Sequence, residues 1–256
     1  LNKVQLYNSV FDELQQKWKA EDEKWKREGF TLITKADSKT YTNYRYNHWM
    51  NDSVVLSYLT ALNRVPAFVK IDETGKPRKF FTPGIIFEES INFQGDWIVW
   101  SERISDLRWQ HSGKSLIRLL NFTNKQKITI NTEFTAMAPA ISPDYSKIAV
   151  VESNYSSEFF LSVYQISNGE LVSRYQTPGN HYFFSPAWMN ENELAVVVLF
   201  PEGKRLCKVD YNSGTLSKLE DRDFGEIKNL VVKNGNIYFT GTVFGKNSLY
   251  CYKLQN

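Results

Sequence analysis

Ala138-Pro139-Ala140-Ile141-Ser142-Pro143-Asp144-Tyr145-Ser146-Lys147-Ile148-Ala149-Val150-Val151 spells a β-hairpin: an apolar stretch closing on Ile141, a polar turn, and a second apolar stretch rich in β-branched residues. Ser185-Pro186-Ala187-Trp188-Met189-Asn190-Glu191-Asn192-Glu193-Leu194-Ala195-Val196-Val197 repeats that order. Weaker copies run from His48 to Leu56, from Asn92 to Val99 and from Leu230 to Phe239. With Trp49, Phe93, Ile141, Trp188 and Val231 as anchors, the copies stand 44, 48, 47 and 43 residues apart. Short strands returning every 40 to 50 residues or so are the mark of propeller blades. The expectation is an all-β chain, a β-propeller of four-stranded blades with five blades visible.

Each copy continues into a third strand that ends in a turn, as in Phe68 to Gly75, Leu161 to Gly169 and Cys207 to Gly214. The Thr-Gly, Asn-Gly and Ser-Gly pairs supply the positive φ that such turns need. A more polar fourth strand follows in Lys79-Phe80-Phe81, Leu171 to Tyr175 and Leu216 to Leu219, and charge on an outermost strand keeps it from pairing with other chains. Blades are placed at about 41–81, 83–130, 134–176, 181–219 and 224–256, within a propeller domain of 29–256. The last copy stops after its third strand, and 30–34 sits in a fourth-strand position before the first. The two ends are therefore expected either to close a five-bladed circle by pairing or to leave an open arc.

Residues 1–28 read differently. Val4, Tyr7, Phe11, Leu14, Trp18 and Trp25 recur at helical steps with mixed charges between them, and Gly29 is a natural stop. One amphipathic helix is expected, packing through Tyr7, Phe11, Leu14 and Trp18 on the propeller or on a neighbouring domain. The start at Leu1, without initiator Met, basic n-region or cleavage site, suggests a piece of a longer chain rather than a signal peptide. The net charge is only +3, from 31 basic and 28 acidic residues, so nucleic acid is not an expected partner. A chain 42% hydrophobic and 23% charged can bury a core, and no apolar run is long enough to span a bilayer. Cys207 and Cys251 are too few for a disulfide framework, and their equivalent places in adjacent blades are too far apart to pair, so two free thiols are expected.

The run from Pro139 to Val150 resembles the repeat of TolB-like propellers, the WD40-like PD40 family, in which a Ser-Pro-Asp-Gly turn joins the two innermost strands. Tyr145 stands here where Gly is usual, Ser185-Pro186-Ala187-Trp188 keeps part of the pattern, and the other copies keep spacing alone. The resemblance covers about 225 residues as a pattern and is specific for fold rather than activity. It implies a bacterial, periplasmic or extracellular protein. The helix from Leu6 to Leu14 also resembles the connector between a gluzincin-type peptidase domain and such a propeller, which implies an upstream peptidase in a longer protein; no HExxH stands in this sequence.

Chemistry is sparse. His48, His111 and His181 lie far apart, no cysteine belongs to a metal-binding cluster, and neither a metal nor a cofactor is expected. Gly113-Lys114-Ser115 lacks the earlier glycine of a phosphate loop, that place being Arg108, and no Gly-x-Ser-x-Gly elbow occurs. Five residues upstream of the anchors stand Tyr44, Glu88, Ala136, Phe183 and Glu226, followed one step later by Arg45, Glu89 and Met137. This column is expected to enter the channel. Asp52, Asp96 and Asp144 recur in the turns, where Asp bonds its own backbone, and are read as structural. Tyr41, Tyr44, Tyr46, Phe87, Phe134, Tyr182 and Phe183 form either a stacking surface or blade-to-blade packing.

The favoured reading is a non-catalytic module binding a peptide, protein or glycan at the channel mouth through Tyr44, Arg45, Glu88, Glu89, Met137, His181, Phe183 and Glu226. A glycosidase using Glu88, Glu226 and Glu152 competes, because such enzymes divide acid and base roles between facing carboxylates. A structural spacer is the third reading.

Overall fold

The computed structural model describes residues 3–24, 32–34, 40–106, 108 and 114–254. His111, Gly113, Trp25 and Gly29 therefore fall outside the described residues, as does all of 25–31. Among the described residues a single helix, α1 (Lys3–Lys24), precedes nineteen strands in five antiparallel sheets. Blade one holds β1 (Thr42–Asn51), β2 (Val54–Ala61), β3 (Arg64–Ile71) and β4 (Arg78–Phe81). Blade two holds β5 (Ile85–Gln94), β6 (Trp97–Ile104), β7 (Lys114–Asn121) and β8 (Lys127–Asn131). Blade three holds β9 (Thr135–Ile141), β10 (Lys147–Ser153), β11 (Phe159–Gln165) and β12 (Leu171–Tyr175). Blade four holds β13 (Tyr182–Trp188), β14 (Glu193–Phe200), β15 (Gly203–Asp210) and β16 (Thr215–Lys218). Blade five has, among the described residues, three strands, β17 (Glu226–Lys233), β18 (Asn236–Val243) and β19 (Lys246–Lys253).

The second strands of blades two, three and four are covered by a blade on each side, which is why β14 reads as the unbroken apolar run Leu194-Ala195-Val196-Val197-Val198, all buried. The turn glycines Gly75, Gly169 and Gly214 have φ of 68°, 74° and 67°, as their positions after the third strands require. Tyr145 also takes φ 60°, so the tyrosine in the repeat's glycine position adopts the glycine conformation. Its phenol lies over Gly95, where a Cβ would come within 2.3 Å of the hydroxyl oxygen. Below it, Asp144 accepts hydrogen bonds from Ser142 Oγ and from the hydroxyl and backbone N–H of Ser146, and the carboxyl is held at about 2, chiefly by the Ser142 hydroxyl and next by that of Ser146.

The cores are seams between blades. One joins Leu56 and Phe68 of blade one to Ile98 and Leu120 of blade two; others join blades two and three, three and four, and four and five. Among the described residues no buried cluster joins blade five to blade one; Leu59, Val69 and Ile71 cluster within blade one alone. The consequence shows in the anchors. Phe93, Ile141 and Trp188 each pack on the preceding blade, and Trp188 donates from Nε1 to Ala140 O at 2.8 Å. Trp49, with no preceding blade against it, is 64% exposed, against 6% for Trp188. In blade five the packed anchor is Val232, paired with Ile237, whereas Val231 is exposed: the sequence register was one residue short there.

Two further expectations meet the structure in part. Of the expected strand 30–34, residues 30 and 31 lie outside the described residues and 32–34 are not in a strand: the Ile33 carbonyl lies against Gly75 of blade one, 1.9 Å from where a Cβ would stand. The helix forms, but Tyr7, Phe11, Leu14 and Trp18 are all exposed rather than packed on the propeller; Tyr7 and Phe11 stack on each other at 6.2 Å. No helix among the described residues is long and apolar enough to cross a membrane.

Candidate functional site

Five inner strands enclose a cavity of about 580 Å³ lined by Tyr44, Arg45, Tyr46 and Asn47 of β1, Ile91 and Asn92 of β5, Ala138 and Pro139 of β9, Ser185 and Pro186 of β13, and Asn229, Leu230 and Val231 of β17. Its wall is built from one repeated irregularity. Tyr46 and Asn47 together face the single residue Ser57; Ala138 and Pro139 face Val150; Ser185 and Pro186 face Val196; Asn229 and Leu230 face Phe239. Each is a β-bulge, two residues against one. The first residue of every pair has positive φ, 55°, 47°, 45° and 56° in chain order, although none is glycine. A non-glycine residue held there costs on the order of 1–3 kcal/mol, and such strain persists where the surrounding structure enforces it, often at ligand sites. In β5 the irregularity is wider, with 87–90 opposite Ser101, and Ser90 bonds Phe87 O and Ser101 O.

The bulges explain which sequence expectations hold. A bulge reverses the in-and-out alternation of the residues upstream of it. Counting back through it placed Ala136 and Phe183 at the channel, yet both are 0% exposed and belong to the seams. Phe183 is thus a core residue; its neighbours Tyr182 and Phe184 are the half-buried rings, 4.4 Å apart. Tyr182 donates to Met137 Sδ at 3.7 Å and meets Phe159 edge-on, and burial pushes its hydroxyl up. Tyr44 and Arg45 do line the cavity. Glu88 and Glu89 lie on β5, but their side chains are outside the described residues. Glu226 does not line the cavity; Lys204 holds it in an ion pair, with the same ammonium 4.3 Å above the Phe184 ring. His181 sits at the turn before β13, its backbone N–H donating to Thr177 Oγ1 at 2.7 Å and its ring 4.6 Å from Phe200, away from the cavity wall.

Glu152, the third carboxylate of the glycosidase reading, is 0% exposed. It accepts from Ser162 Oγ, from Tyr164 Oη at 2.7 Å and from Arg174 Nη2 at 3.0 Å, while the guanidinium also stacks on Phe134 at 4.5 Å and bonds Glu133. Burial and then the Glu152 charge push the Tyr164 phenol well up. This is a satisfied internal network, and Glu152 has no path to a ligand. His48 is likewise structural: it stacks on Phe93 at 4.4 Å and Nε2 donates to Gly95 O at 3.2 Å, and burial lowers its pKa. Both cysteines are free; burial pushes the Cys207 thiol up to about 12. Among the described residues no group of three or more His, Cys, Asp or Glu is placed to hold a metal ion.

The residues that sequence reasoning missed are Asn47, Asn92, Ser185 and Asn229. The available signal was Pro139 and Pro186: proline inside a strand marks an edge or a bulge, and both occupy the second place of a bulge pair.

No family profile and no curated protein matches the sequence. Solved structures do match. A puromycin-hydrolysing peptidase from Mycobacterium tuberculosis aligns with a TM-score of 0.58 at 15% identity, over 81% of this chain and 36% of the other. A TolB from Agrobacterium tumefaciens aligns at 0.57 and 16% identity, over 79% and 72% of the two chains. TolB from Acinetobacter baumannii aligns at 0.50 and 13% identity, over 77% and 51%. The chain thus spans most of one TolB but little more than a third of the peptidase. At these identities the likeness is one of fold, and that fold is the β-propeller of TolB and of peptidase propeller domains.

Proposed function

We propose that the chain is a non-catalytic binding propeller that receives a peptide or protein segment at its central cavity, as one part of a longer exported bacterial protein. Where a peptidase domain accompanies it, the propeller presents or gates that segment. The cavity carries this reading: its wall is made of four strained bulges, and it is large enough for several side chains. The likeness to a peptidase's propeller supports the second clause. A glycosidase would need facing carboxylates, but among the described residues no acidic side chain lines the cavity, Glu152 is sealed in the core and Glu226 is paired with Lys204.

Asn47 is exposed within the cavity and takes an ordinary backbone angle, so Asn47→Trp should fill the space without strain. Peptides selected on the native protein from a random heptapeptide library should lose binding to this variant while its melting temperature stays within a few degrees. Selected peptides that bind both proteins equally would place the site elsewhere, and a glycan array giving the only binders lost on plugging would replace the peptide with a sugar.

A further inference from the structure

Among the described residues, Arg45 is the one side chain of acidic or basic type on the cavity wall; the rest of the described lining is Tyr, Asn, Ser, Pro and aliphatic. Arg45 is exposed and forms none of the ion pairs among the described residues, its guanidinium instead lying 5.3 Å from the Tyr46 ring. The neighbouring amides are polarised the same way. Asn47 Oδ1 accepts from Ser57 Oγ at 2.7 Å and Asn92 Oδ1 from the backbone N–H of Phe93 at 2.7 Å, which leaves the NH₂ of each as the group it can offer a ligand. A guanidinium with two amides beside it favours an acceptor with negative charge, and a concave wall strengthens that field.

We propose that the cavity recognises a carboxylate of the bound peptide, with Arg45 as the charged contact and Asn47 and Asn92 as neutral donors beside it. The inference rests on the reading of the cavity as a peptide site. Two sources share the chemistry, a chain's C-terminus and an acidic side chain.

The test is a titration of ¹⁵N-labelled protein with three probes: N-acetyl-trialanine as the free acid, the same peptide as its C-terminal amide, and N-acetyl-Ala-Asp-Ala amide. The amide signals of Tyr46, Ala138, Ser185 and Asn229 report occupancy. The free acid, the aspartyl peptide or both should bind about tenfold or more tighter than the neutral amide, the worth of one charge-assisted hydrogen bond. Arg45→Gln should erase that preference, and Arg45→Lys should keep part of it. Whichever of the two acids prevails identifies the source. If acid and neutral amide shift these four signals equally, carboxylate recognition fails while the peptide site stands. If no probe moves them and the heptapeptide selection also yields nothing, both fail. Galacturonate binding with the same Arg45 dependence, but tighter than either peptide acid, overturns the choice of a peptide.

Discussion

Replacing Arg174 with methionine removes the guanidinium that neutralises a carboxylate with no solvent exposure. Glu152 would keep its bonds from Ser162 and Tyr164 but lose Nη2 at 3.0 Å and Nε at 3.3 Å, and Glu133 would lose its partner at the surface. Breaking a buried ion pair from one side typically costs about 3–5 kcal/mol, because the remaining charge is left uncompensated. Two hydroxyl donors persist here, so the expected loss is about 2–4 kcal/mol. At roughly 2–4 °C per kcal/mol for a chain of this size, the melting temperature should fall by roughly 4–16 °C. Differential scanning calorimetry of Arg174→Met reads this directly. Adding Glu152→Gln removes the stranded charge, keeps an oxygen to accept from one hydroxyl and gives the other, turned about its C–O bond, an NH₂ to accept from, so the double variant should be more stable than Arg174→Met alone. An Arg174→Met protein that melts with the native one, or a double variant less stable than the single, would refute the account of Glu152 as a paired structural residue.

Trp49 and Trp188 hold the same place in the repeat but differ in burial, so Trp188→Ala should cost about 3–5 kcal/mol in urea unfolding while Trp49→Ala stays within about 0.5 kcal/mol; equal effects would mean that the seam before blade one is filled. Asp144 is depressed to about 2 by its serine neighbours, so its share of stability is full above the unfolded value of about 3.9 and is lost as pH falls through about 2. Acid unfolding of Asp144→Asn should therefore be less steep between those values, and an unchanged slope would contradict the turn geometry. Burial lowers His48, so the unfolded chain takes up a proton first as pH drops below about 6.5, and stability falls from there. His48→Gln should flatten that dependence in melts run across this range; a native protein already flat there would contradict it.

The blade repeat was legible because its signals are local. A hairpin's apolar strands, polar turn and glycine exit lie within a few residues of one another, and Ile141 and Trp188 mark the same seam position in two copies. What the sequence obscured depends on contacts between distant segments. Trp49 and Trp188 look alike in sequence, and only the absence of a packed blade before β1 separates an exposed ring from a buried one. The helix stripe of Tyr7, Phe11, Leu14 and Trp18 announces an amphipathic helix but not its partner. The site suffered from a parity error: one extra residue in each inner strand turns Phe183 into the core and brings Ser185 to the cavity, and only Pro139 and Pro186 hinted at it. Glu152 illustrates the other limit, since Arg174 reaches it from 22 positions further along the chain.

The central claim is that the bulged inner strands build a receptor for a peptide. A crystal structure of the protein with a heptapeptide selected on it tests this most directly. Density for the peptide should lie within the inner ring, touching the pairs that begin at Tyr46, Ala138, Ser185 and Asn229, with a carboxylate against Arg45. Density along β19, on the exposed face of Trp49 or on the outer strands, with the cavity holding solvent alone, would contradict it.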